Sequence, residues 1–225
     1  MILNVKSENS LVIQIPKLPQ IFIAFKKYVY YICLMNKSIL RKKILKIRES
    51  LSKKMCMLKS DKIYNNFIHF ILPEIKKSKI IVVYNSFKKE VQTLKIIKYL
   101  LNKGYCVCSP CIINKEIIPC KLTSIKDLRK GPFGIPEPKK KIKLKSLSKI
   151  AAIIIPGIAF DKNGNRLGFG FGYFDKFLYK LKNNVLKIGL AFSFQVIKKI
   201  PVTKNDIKMD CIITDREIIY VDKKK

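Results

Sequence analysis

The sequence predicts an α/β fold: a three-layer α/β/α arrangement around a mostly parallel, Rossmann-like open sheet. Three observations point there. Short β-branched runs, Ile80 to Tyr84 (IIVVY) and Ile150 to Ile155, are apolar throughout, the pattern of strands buried on both faces of a parallel sheet. Segments with helical spacing alternate with such runs, which implies right-handed crossovers. At 225 residues and 48% hydrophobic content, the chain is long enough for one well-packed domain and too apolar for global disorder.

The elements follow in chain order. Residues 1–35 stand apart: IPKLP precedes IFIAF-KK-YVYYICLM, where two lysines interrupt the apolar stretch before the ~20 residues that span a bilayer. The segment also lacks the ordered parts of a secretory signal. It reads as an N-terminal extension of unknown role, open to three readings, a docking segment, an interfacial anchor or, the one preferred, an upstream translated stretch with Met35 as the functional start; residues 36–225 are the domain. Lys37 to Lys59 reads as one basic amphipathic helix, and Ile63 to Leu72 as a second that stops at Pro73. Ile80 to Tyr84 is the first core strand, Val91 to Asn102 a helix ended near Gly104, and Tyr105 to Cys108 a second strand. Gly131 to Pro138 (GPFGIPEP) is a loop, and the lysine-rich stretch 139–145 a mobile link to the strand at Ile150. Leu186 to Ala191 and Asp210 to Thr214 add strands, with Glu217 to Val221 at an edge.

Charge and rare residues narrow the function. The net charge is +32, but the basic residues are mostly lysines spread along the whole chain beside abundant Ile and Asn. That pattern reads as codon drift and a solvated surface, not a dedicated nucleic-acid face, although it attracts small anions. Of seven cysteines, Cys106, Cys108, Cys111 and Cys120 cluster. Cys106 and Cys108 sit in an apolar run with no His or second CxxC nearby, which argues against a zinc or redox site. An odd count without a secretory signal fits a reducing cytoplasm. His69, the only histidine, lies in FIHFIL and reads as a packed helix residue, so histidine-based catalysis is unattractive.

The most informative stretch is Ile153 to Leu178, IIIPGIAFDKNGNRLGFGFGYFDKFL. Pro156-Gly157 ends a buried strand, and Asp161 to Asn165 forms a solvent-facing turn. Gly168, Gly170 and Gly172 recur every second residue, clearing side chains so that backbone N–H groups can approach a polyanion. A helix from Tyr173 to Leu181 then points its N-terminus at the same place. Arg166 adds a bidentate charge, and Asp175 in the first helical turn is placed for a magnesium ion. Together these read as a phosphate-binding strand–loop–helix.

PGIAFDKNGNRLGFGFGYFD also resembles the signature of 5-formyltetrahydrofolate cyclo-ligases, roughly PGxxFDxxGxRLGxGxGYYD. Lys37-Ser38-Ile39-Leu40-Arg41 resembles that family's KxxLR, YNSFKKEVQT at Tyr84 to Thr93 its YxSxxxEVxT, Gly131 to Pro138 its GxxGIPEP, and Asn205 to Asp210 its C-terminal stretch. The resemblance implies an enzyme in which ATP activates the formyl oxygen of 5-formyltetrahydrofolate and the neighbouring nitrogen closes the ring. The products are 5,10-methenyltetrahydrofolate, ADP and phosphate. It further implies ATP contacts from Lys37, Ser38, Ile39, Leu40, Arg41, Arg166, Leu167, Gly168, Phe169, Gly170, Phe171, Gly172, Tyr173 and Phe174. Folate contacts fall to Glu90, Phe133, Gly134, Ile135, Pro136 and Tyr173, with Pro132 to Pro136 shaping the wall. Arg166 and Tyr173 carry the catalytic roles, and Asp175 and Asp210 hold magnesium. The expected protein is a cytoplasmic monomer acting on small molecules. It departs from the pattern at Phe171, normally small or Lys, at Phe174, normally Tyr, and at Gln92, normally acidic. Two other classes stay open: a basic nucleic-acid-binding protein, and an α/β protein acting on another phosphorylated metabolite.

Overall fold

The structure, a computed structural model, describes residues 37–76, 79–181 and 184–222. The N-terminal extension, residues 1–35, lies outside the described residues. Residues 37–50 form helix α1. The expected single helix to Lys59 is interrupted because Ser52 adopts an extended conformation and caps α2, Lys53–Asn66, by accepting from the Met55 N–H at 3.1 Å. A π-turn, Phe67–Ile71, continues α2 and buries Phe67 and Ile71, and a short 3-10 turn, Leu72–Glu74, follows with Pro73 inside it. His69 is exposed on this turn instead of packed, because Phe67 and Ile71 take the inward face.

Seven strands build the main sheet: β1 Ile80–Val83, β2 Cys106–Ile113, β3 Glu116–Leu122, β6 Ile150–Pro156, β9 Leu186–Leu190, β11 Cys211–Ile213 and β12 Ile218–Tyr220. Their order is β12-β11-β9-β6-β1-β2-β3. The five inner strands are parallel, while β12 and β3 pair antiparallel at the two edges. Alternation along the strands splits the core: Ile81, Val83, Ala152 and Ile154 join one cluster, while Ile80, Val82, Ile153 and Ile155 join the other. Helices α2 and α3, Leu94–Asn102, cover the first face; α4, Tyr173–Tyr179, covers the second with Phe177 and Leu178. Burying Ile96, Ile97 and Leu100 on α3 contributes roughly 2 kcal/mol per side chain from apolar surface removed from water.

Two small additions shape the site. Strands β4, Leu128–Lys130, and β5, Pro136–Pro138, turn the GPFGIPEP segment into a hairpin, with a 3-10 turn at Pro132–Gly134. Strands β7, Ala159–Asp161, and β8, Arg166–Leu167, form a second hairpin, which β10, Val196–Ile197, extends in parallel. Asp161 is fully buried, contrary to the solvent-facing reading of its turn. Its carboxylate accepts from the backbone N–H groups of Asn163, Asn165 and Ile200 and from the Asn165 amide. The lysine-rich stretch is also tied down: Lys143 bridges to Cys120, and the Lys121 N–H donates to the Ile142 carbonyl at 2.8 Å.

Candidate active site

Strand β2 lies on one side of β1 and β6 on the other, so the chain direction diverges beyond Val83 and Pro156. A crevice at such a switch point is where open α/β sheets take ligands. Here it is a cleft of about 820 Å³ whose wall includes Lys37, Arg41, Asn85, Glu90, Ile135, Arg166, Asp175 and Asp206, together with the glycine-rich loop.

The loop half is cationic. Asp161 fixes the turn before Arg166, and Gly164 makes that turn possible: φ is +81°, and a Cβ would lie 2.7 Å from the Met209 carbonyl. Arg166 is buried and donates from Nη2 to both oxygens of Asp175 at 2.9 Å, its guanidinium lying 5.6 Å from the Phe174 ring centroid. Its Nε is buried without a partner, so the guanidinium is held but not saturated. Arg41 reaches over from α1, donates from Nε to the Gly168 carbonyl at 2.8 Å, and packs over Gly170, whose φ of +106° no ordinary residue adopts comfortably. Burial lowers the Arg41 guanidinium pKa, and Asp206 opposes that fall. Lys37 is buried and bound to Asp206 at 2.6 Å. The α4 helix has seven residues and ends at Tyr179, not Leu181, so an anion in this half would be held by the loop amides and these cations more than by a helix dipole.

The opposite half is built around Glu90. The carboxylate is buried and accepts the Phe87 N–H at 2.9 Å. Burial raises its pKa, offset in part by the Phe87 hydrogen bond and by the charge of Arg48. Beside it, Asn85 donates to Ser109 Oγ and the Pro136 carbonyl, while its own Oδ1 is buried and unpartnered. Glu137 is buried, accepts the Ile112 N–H and pairs with Lys141 at 2.9 Å. Across the mouth, Phe133 and Phe171 stack with centroids 6.0 Å apart, and Phe171 and Tyr173 with centroids 5.7 Å apart.

Several sequence expectations are corrected. Of Lys37 to Arg41, only the first and last line the cleft: Ser38 and Ile39 face solvent, and Leu40 packs against the small cluster around Ile44 and Leu167. That follows from the 3.6-residue helical period, which puts positions i and i+4 on one face. Phe133 and Ile135 line the cleft, but Gly134 backs onto Phe87, and Pro136 contributes its carbonyl to Asn85. Asp210 does not join Asp175. It accepts the Lys187 N–H at 2.8 Å, pairs with the Lys187 ammonium at 2.9 Å, and lines a separate cleft of about 910 Å³ with Lys162, Lys208 and Tyr220. Among the described residues no group of three or more His, Cys, Asp or Glu side chains converges as a metal cage. That leaves Asp175, whose two oxygens each accept from Arg166 and would have only their remaining lone pairs to offer magnesium, an ion that commonly takes one or two carboxylates and fills its shell with phosphate oxygens and water. The described cysteines are free, and burial pushes the Cys108 and Cys211 thiols up to about 12, away from nucleophile chemistry.

Sequence reasoning missed Asp206, Asn85, Glu137 and Arg48. Arg48 is buried, with Nε and Nη1 unpartnered and its guanidinium 5.8 Å from the Phe169 centroid. Its place at i+7 from Arg41 was the available signal, masked by the abundance of basic residues.

An open, mostly parallel sheet whose switch-point cleft sets two arginines and a lysine across from a buried carboxylate defines a three-layer α/β protein with a polar ligand-sized cleft. The comparisons with known proteins make it a ligase. The sequence profile of the 5-formyltetrahydrofolate cyclo-ligase family matches residues 34–215, and the chain belongs to that family. It is 28% identical to the 5-formyltetrahydrofolate cyclo-ligase of Saccharomyces cerevisiae over 202 residues, 79% of this chain and 94% of that one. It is 32% identical to the probable 5-formyltetrahydrofolate cyclo-ligase of Caenorhabditis elegans over 161 residues, 65% of this chain and 78% of that one. Among solved structures, the 5,10-methenyltetrahydrofolate synthetase of Aquifex aeolicus aligns with a TM-score of 0.74 at 35% identity, covering 84% of this chain and 94% of that one. The synthetase of Mycoplasma pneumoniae gives 0.66 at 29%, covering 80% and 98%.

Proposed function

We propose that residues 36–225 catalyse the ATP- and magnesium-dependent closure of 5-formyltetrahydrofolate to 5,10-methenyltetrahydrofolate, releasing ADP and phosphate. The observation that carries this reading is that one cleft holds both an anion cradle and the buried Glu90. The formyl oxygen takes the γ-phosphoryl group, the neighbouring folate nitrogen attacks the activated carbon, phosphate leaves with that oxygen, and the nitrogen gives up its proton to the departing phosphate or solvent. Such chemistry needs alignment and charge stabilisation more than covalent help from the protein.

In this reading the glycine-loop amides, Arg41 and Lys37 bind the nucleotide phosphates, and Arg166 stabilises the charge on the transferred group. Glu90 accepts N–H groups of the pterin, and the unpartnered Asn85 Oδ1 adds a second acceptor on the same wall. Tyr173, stacked on Phe171, lines the reacting centre with Phe133 and Ile135. Asp175 is the carboxylate that would hold magnesium, which when bound neutralises part of the triphosphate charge. No helix among the described residues is long and apolar enough to cross a membrane. We read the protein as a cytoplasmic monomer working on small molecules.

The test is appearance of the methenyl chromophore on mixing the protein with 5-formyltetrahydrofolate, ATP and magnesium. Product should form only when all three are present. Product formation without ATP, or none with the complete mixture, overturns the reading.

A further inference from the structure

Lys37 and Asp206 are 169 residues apart in sequence, yet their side chains meet at 2.6 Å and are only 7% and 21% exposed. Both line the cleft, so their pairing is not a surface clasp. The same oxygen of Asp206, Oδ2, also accepts the Thr203 N–H at 2.6 Å and the Thr203 hydroxyl at 3.1 Å. Three donors therefore converge on one oxygen and lock the carboxylate to the turn that carries it. Burial alone would raise the Asp206 pKa, but the Lys37 and Thr203 contacts outweigh it and lower the net value, which keeps Asp206 anionic beside Lys37. Arg41, one helical turn beyond Lys37, feels the same negative charge.

The geometry has a counterpart within the cleft: Asp175 holds Arg166 just as Asp206 holds Lys37. A lysine ammonium is a point charge on a flexible stem, so without a fixed partner its position is poorly defined. We propose that Asp206 is a positioning residue of the anion-binding half of the cleft: through its ion pair it fixes the Lys37 ammonium for a nucleotide phosphate. One N–H of Lys37 is used by the pair, which leaves its other donors for phosphate oxygens. This rests on the reading that this half of the cleft binds a nucleotide.

The experiment compares Asp206→Asn, Asp206→Glu, Lys37→Met and the double variant Lys37→Met/Asp206→Asn in the full chain. ATP binding is measured by calorimetry below the lowest melting temperature of the set, and KM is measured for both substrates. Asp206→Asn should weaken ATP binding roughly tenfold, the effect of losing a charge-assisted contact, and leave the folate KM unchanged. Asp206→Glu should recover part of the loss. The double variant should bind ATP no more weakly than Lys37→Met alone, because Asp206 acts through Lys37. Unchanged ATP binding in Asp206→Asn, equal rises in both KM values, or fully additive losses in the double variant would each sink the proposal, leaving an architectural ion pair. Calorimetry needs no turnover. Wild-type protein that binds ATP but makes no methenyl product would overturn the cyclisation reading alone, whereas wild-type protein that fails to bind ATP overturns this one.

Discussion

Arg166 and Asp175 meet through a single guanidinium nitrogen: Nη2 donates to both carboxylate oxygens at 2.9 Å, while the buried Nε of the same arginine has no partner. The arginine is therefore oriented by the aspartate and still has a donor to give. Asp175→Ala should abolish formation of the methenyl product. It should also lower stability by about 3 kcal/mol, because a buried guanidinium is left uncompensated. Chemical denaturation and the chromophore assay separate the two effects; retained turnover would remove Asp175 from the chemistry.

Glu90 gives a pH prediction whose sign is opposite to that of most carboxylates. Burial raises its pKa in the folded protein above the unfolded value, with the Phe87 N–H and Arg48 only partly compensating. A raised value means the folded state prefers the proton. Stability from that preference is present below the unfolded pKa and is lost as pH rises through the folded pKa. Glu90→Gln should therefore melt higher than the parent at neutral pH, with the difference closing in acid. Its folate KM should rise by roughly tenfold or more through loss of an ionised acceptor. Thermal melts across pH and steady-state kinetics read both.

Two glycine substitutions should separate function from packing. Gly170 sits at φ +106° beneath Arg41, so Gly170→Ala strains the loop by roughly 1–3 kcal/mol and should raise the ATP KM more than it lowers stability. Gly189 lies under Phe160, where an added Cβ would be 2.5 Å from the ring. Gly189→Ala should cost roughly 2–3 kcal/mol of stability through overpacking and leave the substrate KM values of the folded fraction unchanged.

Phe171 is 64% exposed and stacks with Phe133 and Tyr173. Phe171→Ala should leave the melting temperature almost unchanged, since such a pair contributes about 0.5–1.5 kcal/mol and its loss is partly offset by hydration. Turnover should change, because Tyr173 loses the ring that fixes it at the cleft. Equal kcat and KM values in the variant and parent would make Phe171 a bystander.

The inner strands were legible because β-branched runs at Ile80 and Ile150 have no other comfortable place than a sheet covered on both faces. The β2–β3 hairpin was less so. Its turn places Asn114 and Lys115 at φ +49° and +60°, a geometry usually announced by glycine, and the facing prolines Pro110 and Pro119 read as breaks. In the site, the glycine loop could be found from local spacing, and Glu90 only from the resemblance of Tyr84 to Thr93 to the cyclo-ligase motif. The choice between Asp206 and Asp210 could not, since both lie in one irregular segment and only tertiary pairing with Lys37 or Lys187 sends them to different clefts. The exposure of His69 was within reach of the sequence, since Ile63, Phe67 and Ile71 repeat at i, i+4 and leave His69 on the outward face.

The cleft draws on α1, the end of β1, the β4–β5 hairpin, the glycine loop and the turn at Thr203 to Asp206. The Lys37–Asp206 contact joins the first of these to the last. A growing chain emerges from the ribosome at about 5–20 residues per second, so this contact cannot close until the segment after β10 that carries Asp206 has appeared. Until then the α1 cations have no aspartate to hold them. A nascent chain, or a proteolytic fragment ending before Thr203, would carry the glycine loop and yet lack the aspartate that closes the α1 side of the cleft.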